Sequence, residues 1–416
     1  MRKTIAIVGA GAAGGTAAAT LREEGFDGRV VLIGDERDAP YERPPLSKEY
    51  LRGEYGLEVL FIRPPDWYGQ HDIEFLSGTR ADRIDAPTRV VELGGRDRVP
   101  FDLALIATGA RNRRLAVPGV ELPGVLDVRR IAESDAVREA ARSRGRAVMV
   151  GMGFIGAEVA ASLRQLGCDV AVVEPQGTAM EVALGRDLGR VVEGIHRDHG
   201  VRMHFGEGVQ RFEGAGRLEA VVTTTGRRLP CDLAVVGVGV QPNIEAVPAG
   251  TLELRDGIVV GPTLATAVPG IFAAGDVALH DHPRFGPIRV EHHDNALKMG
   301  QAAAWNLLGT DQPFDDPHWF WSDQYDVNIQ VAGIARSWDQ MVIRGKLEER
   351  SFTAFFLRSG RLLSALSLNR PRDVRRAMPL IRAGMRPDPS ALRDEDVDLR
   401  ALAREVREGL GPAARP

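Results

Sequence analysis

Thr4-Ile5-Ala6-Ile7-Val8 is a continuous apolar run of buried-strand type, and it passes without a break into Gly9-Ala10-Gly11-Ala12-Ala13-Gly14. A strand that enters glycines at this spacing must turn sharply and start a helix. Residues 12–24 are alanine-rich with Leu21 spaced for a packed face, and Gly25 stops the helix. A second strand over 29–33 then delivers Asp35 and Glu36 about 20 residues beyond the glycines, where a carboxylate can accept hydrogen bonds from a ribose. Gly9 permits the tight turn, Gly11 lets backbone approach a pyrophosphate, and Gly14 lets helix lie close on strand, with the anion at the helix amino end. The glycine spacing alone is also that of a close-packed turn. Set between strand and helix with the acid in register, it reads as a dinucleotide-binding unit.

The pattern then repeats. Ala147-Val148-Met149-Val150 is a second buried-type strand, Gly151-Met152-Gly153-Phe154-Ile155-Gly156 restores the spacing, residues 157–166 read as the helix, and a strand over 170–173 ends at Glu174. An internal duplication of this unit implies two bound nucleotides. Glu174 suits the free ribose hydroxyls of NAD and repels a 2′-phosphate, and no arginine follows it immediately, so NADH is expected in preference to NADPH.

Other stretches fit around these two units. Pro40-Tyr41-Glu42-Arg43-Pro44-Pro45-Leu46-Ser47-Lys48 is stiffened by proline and is expected as a rigid lip rather than a helix interior, with Arg43 and Lys48 as cations. Short strands are expected over 73–75, 89–93 and 101–106, the last ending in Ala107-Thr108-Gly109, and over 233–240. Gly270-Ile271-Phe272-Ala273-Ala274-Gly275-Asp276 ends in one carboxylate suited to a polyol hydroxyl, although a bare Gly-Asp is also an ordinary turn. A helix over 295–308 follows, then an aromatic-rich segment around Trp319-Phe320-Trp321 and alternating runs that suggest an antiparallel sheet. The tail over 390–416 is charged, with helical content and loosely held last residues expected.

Composition narrows the function classes. A chain of 416 residues exceeds one core and calls for two or three domains. With a net charge of -4, nothing favours nucleic acid; the amino terminus enters a strand at once, so no leader is expected, and no apolar run suits a membrane span. Cys168 and Cys231, the only cysteines, lie far apart and read as buried cytoplasmic thiols, which excludes a Cys-x-x-Cys redox pair. His292-His293 and His280-Asp281-His282 read as loop histidines rather than metal ligands. Arg370, Arg372, Arg375, Arg376, Arg382 and Arg386 form a candidate basic face, or a solvated helix face.

With both fingerprints, the proline lip and Gly275-Asp276 in this order, the chain resembles the two-dinucleotide flavoprotein disulfide reductase superfamily. More narrowly, Tyr41-Glu42-Arg43-Pro44-Pro45-Leu46-Ser47-Lys48 and Phe320-Trp321-Ser322-Asp323-Gln324-Tyr325 resemble the ferredoxin reductases of bacterial oxygenase systems, of the putidaredoxin, rhodocoxin and biphenyl dioxygenase reductase type. The resemblance spans Ile5 to about Arg382. It implies an α/β fold: two Rossmann-like dinucleotide-binding domains plus an α+β C-terminal domain. FAD would occupy a discontinuous domain over 1–113 and 244–312, NAD a domain over 114–243, and an interface domain would cover 313–416.

By resemblance, Gly9, Gly11, Ala13 and Gly14 would hold the FAD pyrophosphate and Asp35 its adenosine ribose. Arg43, Lys48, Ala81, Thr108, Gly109, Arg129 and His293 would line FAD, and Asp276 would hold the ribityl chain. Gly151, Gly153, Ile155, Gly156, Glu158 and Glu174 match the NAD half. Lys48 would pair with Glu158 beside the flavin's hydride-accepting nitrogen; a structural ion pair is the plainer reading. Trp321 would lie against the flavin, or else be a core aromatic. The family usually has Trp or Val at His293 and Glu-Gln at Lys298-Met299, so this chain departs at two positions near the flavin in relatives.

The implied reaction takes a hydride from NADH to FAD and passes single electrons to a small acidic two-iron ferredoxin. Neither step needs a protein nucleophile, in keeping with the scarcity of cysteine. Reduction of rubredoxin, a quinone or monodehydroascorbate, or an NADH-sensing role resembling apoptosis-inducing factor, are the alternatives. A cytoplasmic monomer or weak homodimer is expected.

Overall fold

The structure, a computed structural model, describes residues 2–95 and 97–409. The chain forms two compact units, each assembled from separated segments. The first comprises Met1–Pro45, Gly53–Arg113 and Gly239–Asp315, and the second Leu46–Arg52, Arg114–Val238 and Asp316–Pro416.

In the first unit the opening run is the central strand Thr4–Val8 of a five-stranded parallel sheet. It pairs with Arg29–Ile33 on one side and Leu103–Ile106 on the other; Ile73–Leu76 and Ile271–Ala273 form the edges. A strand covered on both faces reads as continuously apolar, and Ile5, Ala6 and Ile7 are fully buried. Burying an isoleucine or leucine of this kind stabilises by about 1.5–3 kcal/mol. The helices Ala12–Glu23 and His293–Leu307 pack together so closely that a Cβ on Gly300 would lie 2.2 Å from the carbonyl oxygen of Ala13. An antiparallel meander of Ala81–Asp85, Val90–Leu93 and Arg98–Pro100 completes this unit with a four-stranded sheet and a two-stranded ribbon.

The second unit repeats the architecture. Arg146–Val150 lies between Asp169–Glu174 and Leu233–Val236 in another five-stranded parallel sheet, and Phe154–Gln165 is the helix that leaves its glycine turn. A second, antiparallel five-stranded sheet has the order Trp319–Gln324, Val327–Gly333, Arg361–Leu368, Ser351–Arg358, Gln340–Lys346. The helix Pro371–Arg382 packs against it.

Several expectations needed correction. The proline lip, expected only to be rigid and outside a helix interior, contains a 3₁₀ turn over Pro44–Ser47 and leads into the helical turn Glu49–Arg52; proline is acceptable at such a start, where its missing N–H costs nothing. The strand expected over 233–240 stops at Val236, and after Gly239, held at φ +96°, Val240–Pro242 joins a separate ribbon with Ala110–Asn112. His280 and His282 are not loop residues but alternate positions of the strand Ala278–His282, and both are buried. Among the described residues no group of histidines, cysteines or acids is arranged to hold a metal, and no helix is long and apolar enough to cross a membrane. In the tail, Pro389–Arg393 and Leu399–Gly409 are helical; the loosely held end expected over 410–416 lies outside the described residues.

Candidate functional site

Each fingerprint folds into the same cradle. Gly9 has φ +114°, and a Cβ there would meet the Ala107 carbonyl oxygen at 2.2 Å; a Cβ on Gly14 would lie 1.8 Å from the Gly9 oxygen. A Cβ on Gly11, by contrast, would meet nothing within 4 Å. In the second copy Gly151 has φ +95° and would strike the Gly237 oxygen at 2.4 Å, Gly156 would strike the Gly151 oxygen at 2.3 Å, and Gly153 faces open space. In each copy the first and last glycines are required by packing, whereas the middle one leaves room beside the helix start.

Gly11 and Gly153 are the N-caps of their helices, neither makes a side-chain cap, and neither helix carries an acid in its first turn. Helix-start N–H groups without a side-chain acceptor, facing open space and free of competing carboxylates, suit a pyrophosphate. The residues present therefore fit two dinucleotides. Ala13 and Ile155 sit in the first turn of these helices; Ile155 is half exposed.

Around the first cradle, Asp35 lies exposed just beyond the strand Arg29–Ile33. Its neighbour Glu36 accepts hydrogen bonds from the Tyr41 hydroxyl and from Arg43, each at 2.7 Å. Burial opposes the Arg43 charge, but Tyr41 and Glu36 outweigh it and raise the guanidinium pKa. Thr108 Oγ1 donates to the Asn243 carbonyl at 2.6 Å and Asn243 Nδ2 returns a bond to the Thr108 carbonyl at 2.9 Å, which latches the Thr108–Gly109 turn. Gly275, at φ +77°, would place a Cβ 3.1 Å from the Ala13 side chain, and so carries Asp276, nearly buried, to the first fingerprint helix. Ala81 opens its strand, half-buried. His293 opens its helix with Nε2 3.9 Å from Glu42, whose carboxyl is raised by burial. Burial holds the neighbouring His292 down, to about 4, against the pull of Asp276.

In the second unit, Glu174 Oε2 accepts from the Met152 N–H at 2.7 Å and Oε1 from the Gln176 N–H at 2.8 Å. The acid thus holds the fingerprint turn, and each oxygen keeps a further lone pair for a ribose hydroxyl. Arg129 precedes the helix Ile131–Ala141, where Glu133 accepts from the Arg129 and Arg130 N–H groups at 2.7 and 2.9 Å.

Glu158, on the helix Phe154–Gln165, is 3% exposed. Lys48, equally buried, reaches its Oε2 at 3.1 Å, and the Ser47 hydroxyl donates to the same oxygen at 2.5 Å. The Ser322 hydroxyl donates to Oε1 at 2.7 Å. A buried ion pair is tolerable only when its remaining lone pairs are satisfied, and here two hydroxyls do so. The segment that carries Lys48 is itself tied down by Ser134 to the Leu46 carbonyl and Ser162 to the Ser47 carbonyl, at 2.8 and 2.7 Å. Trp321, adjacent to Ser322, stacks on Trp319 with centroids 5.2 Å apart, and Phe320 meets Phe154 of the second fingerprint edge-on at 4.8 Å.

Ser47, Ser322 and Asn243 were not singled out from sequence as site residues, whereas Glu36, expected beside Asp35 as a ribose acceptor, is engaged by Tyr41 and Arg43. Ser47 and Ser322 do stand beside Lys48 and Trp321 in the two family-specific motifs, which was the available signal. Of the arginine cluster, Arg372, Arg375 and Arg376 line a groove of about 720 Å³ with Arg400 and Arg404 of the last helix, which sequence did not suggest. Arg370 instead bridges Asp373 and Glu395, at 3.0 and 2.6 Å.

Comparison with known proteins agrees with this geometry. Residues 3–300 match the pyridine nucleotide-disulphide oxidoreductase family and residues 319–403 the reductase C-terminal family. Rhodocoxin reductase of Rhodococcus erythropolis is 39% identical over 96% of this chain and 95% of its own. A ferredoxin reductase from Rhodopseudomonas palustris superposes with a TM-score of 0.93 at 38% identity, over 96% of this chain and 100% of that one. The reductase in a covalent putidaredoxin reductase–putidaredoxin complex gives 0.94 at 31% identity, over 97% and 99%. Two glycine cradles in a parallel-sheet α/β scaffold, followed by the matching C-terminal sheet, place this chain in the pyridine nucleotide-disulphide oxidoreductase family, among the ferredoxin reductases of oxygenase systems.

Proposed function

We propose that the protein is an FAD-dependent oxidoreductase that takes electrons from NADH and delivers them to a two-iron ferredoxin of an oxygenase system. The observation that carries this is the pair of equivalent cradles, Gly9-Gly11-Gly14 and Gly151-Gly153-Gly156, in a chain similar along almost its whole length to reductases named for ferredoxins. FAD, when bound, supplies the conversion of a two-electron donor into single-electron delivery.

The chain's own residues bind, orient and balance charge. Gly11 and Gly153 offer helix-start N–H groups to the two pyrophosphates. Asp35 serves the FAD adenosine ribose, Asp276 the ribityl chain and Glu174 the NAD ribose. Arg43, Ala81, Thr108, Gly109, Arg129 and His293 line FAD. Lys48 presents a buried ammonium to the flavin, and Glu158 with Ser47 and Ser322 keeps that charge affordable. Trp321 is the aromatic on the electron's way out.

The arginine groove would receive acidic side chains of the ferredoxin. The functional division into FAD, NAD and interface domains, a cytoplasmic location and a monomer or weak homodimer belong to the same reading. Reduction of rubredoxin, quinone or monodehydroascorbate is set aside in favour of ferredoxin, for which the relatives are named. The test is direct: purified protein should be yellow, NADH should bleach it, and a two-iron ferredoxin should restore the colour. A colourless protein that takes up no added FAD, or a bound flavin that NADH leaves unchanged, overturns the reading.

A further inference from the structure

The polar contacts of Glu158 do not end at Ser322. Gln324 Nε2 lies 3.2 Å from Ser322 Oγ, and Gln324 Oε1 lies 3.0 Å from His196 Nε2. His196 Nδ1 in turn lies 3.3 Å from the Tyr325 hydroxyl. Ser322, Gln324 and His196 are at most 1% exposed. The Tyr325 ring stacks on exposed His199, with centroids 3.6 Å apart and planes 8° from parallel. A buried file of polar groups therefore runs from the Lys48–Glu158 pair to a histidine at the surface.

We propose that Tyr325, His196 and Gln324 are positioning residues that act through Ser322 to hold the Glu158 carboxylate ionised opposite Lys48. The inference rests on the flavoprotein reading only for its catalytic consequence. Its direction follows from counting protons. Ser322 has a single hydroxyl hydrogen and gives it to Glu158. Its oxygen must then accept, so Gln324 presents its NH₂ to Ser322 and its carbonyl to His196. That carbonyl needs a donor, which places the His196 proton on Nε2, and Nδ1 is left to accept from the Tyr325 hydroxyl.

Every bond in the file thus donates toward the carboxylate. Such a chain favours the anion over the neutral acid. Burial supports it at both ends: it lowers the His196 pKa to about 4, so the ring stays neutral, and it raises that of Tyr325, so the hydroxyl keeps its proton. The charged or titratable groups that face the file are Lys48 at Glu158, His199 beside His196, and Arg164 toward Tyr325. His199 opposes protonation of the imidazole; Arg164 pulls the Tyr325 hydroxyl toward ionisation, but burial outweighs it.

The test severs the file at its amide. In Gln324→Leu, which removes both polar groups of the amide, the acid limb of the pH profile for NADH-dependent flavin bleaching should move up by about one pH unit. The same substitution in a Glu158→Gln background should leave that profile where Glu158→Gln alone puts it. An unmoved limb in Gln324→Leu, or a shift that persists without the carboxylate, overturns the proposal. Tyr325→Phe deletes one oxygen and keeps the stacked ring; it should move the limb in the same direction by less, and a downward shift counts against the chain. Nitrogen-15 NMR of the histidine rings supplies a readout independent of activity. His196 should be neutral at pH 7 with its proton on Nε2, and finding it on Nδ1, or a cationic ring, refutes the polarity. If NADH fails to bleach the unaltered protein, the flavoprotein reading falls while the NMR measurement still decides the file.

Discussion

Ser322 Oγ lies 2.7 Å from Glu158 Oε1, on the oxygen that Lys48 and Ser47 leave to it. The two residues are 164 positions apart, and their bond ties the first strand of the C-terminal sheet to the second fingerprint helix. It gives the buried carboxylate a donor on each oxygen, which is the condition for keeping a charge where water does not reach.

Ser322→Ala removes that donor without adding bulk. Leaving one carboxylate oxygen without its partner should cost about 1–3 kcal/mol in urea unfolding. Cysteine at the same position, a weak donor, should recover part of the loss. A midpoint within error of the unaltered protein would mean that the bond is not made in solution.

Glycine substitutions should separate packing from ligand binding. Gly14→Ala and Gly156→Ala push a Cβ to within 1.8 and 2.3 Å of backbone oxygen and should unfold the chain or abolish expression. Gly11→Ala and Gly153→Ala meet nothing within 4 Å and have ordinary negative φ, -83° and -76°. Their apo melting temperatures should stay put, while the first loses FAD and the second raises the KM for NADH. A large drop in apo stability for either would contradict the open cradle.

Acid should destabilise the fold over a defined window. His196, His280 and His292 are each held by burial at about 4, below the ordinary 6.5. The unfolded chain therefore binds protons that the folded chain refuses. This contribution is intact above about pH 6.5 and is lost as pH falls toward about 4, at up to ~1.4 kcal/mol per pH unit for each histidine. His280→Phe, in a pocket already lined by Phe314, should flatten the pH dependence measured by denaturant titration; an unchanged slope would show that His280 titrates normally.

If the arginine groove steers an acidic ferredoxin, its reduction rate should fall about tenfold as ionic strength rises from ~0.05 to ~0.5 M. Arg375→Glu, at an exposed position of the groove, should weaken that dependence while reduction of a small uncharged acceptor is unaffected. Ferredoxin turnover indifferent to both salt and charge reversal would remove the groove from the docking face.

Much of this protein is local and was readable as such. The strand-glycine-helix units over 4–24 and 147–166 depend on neighbours a few residues apart, so β-rich apolar runs, glycines at fixed spacing and an alanine-rich helix were sufficient to draw both cradles and to number the acids that follow them. The helices Ile131–Ala141 and Glu181–Asp198 follow no glycine fingerprint and were not expected. The histidines of Ala278–His282 looked like loop residues because alternation with a charge at Asp281 hides a strand whose other face is buried against Phe314 and Phe285.

By itself, then, the sequence determined the duplicated nucleotide-binding units, because turn and helix geometry are set by adjacent residues. Resemblance also pointed to the Lys48–Glu158 pair, but only the tertiary structure decided what else surrounds Glu158. Lys48 is 110 positions away from it, Ser322 is 164, and Gln324 is 128 from His196. No local preference encodes such pairings: they exist only once chain closure and core packing have set those segments side by side, and there burial makes every unpaired polar group costly enough to demand its partner.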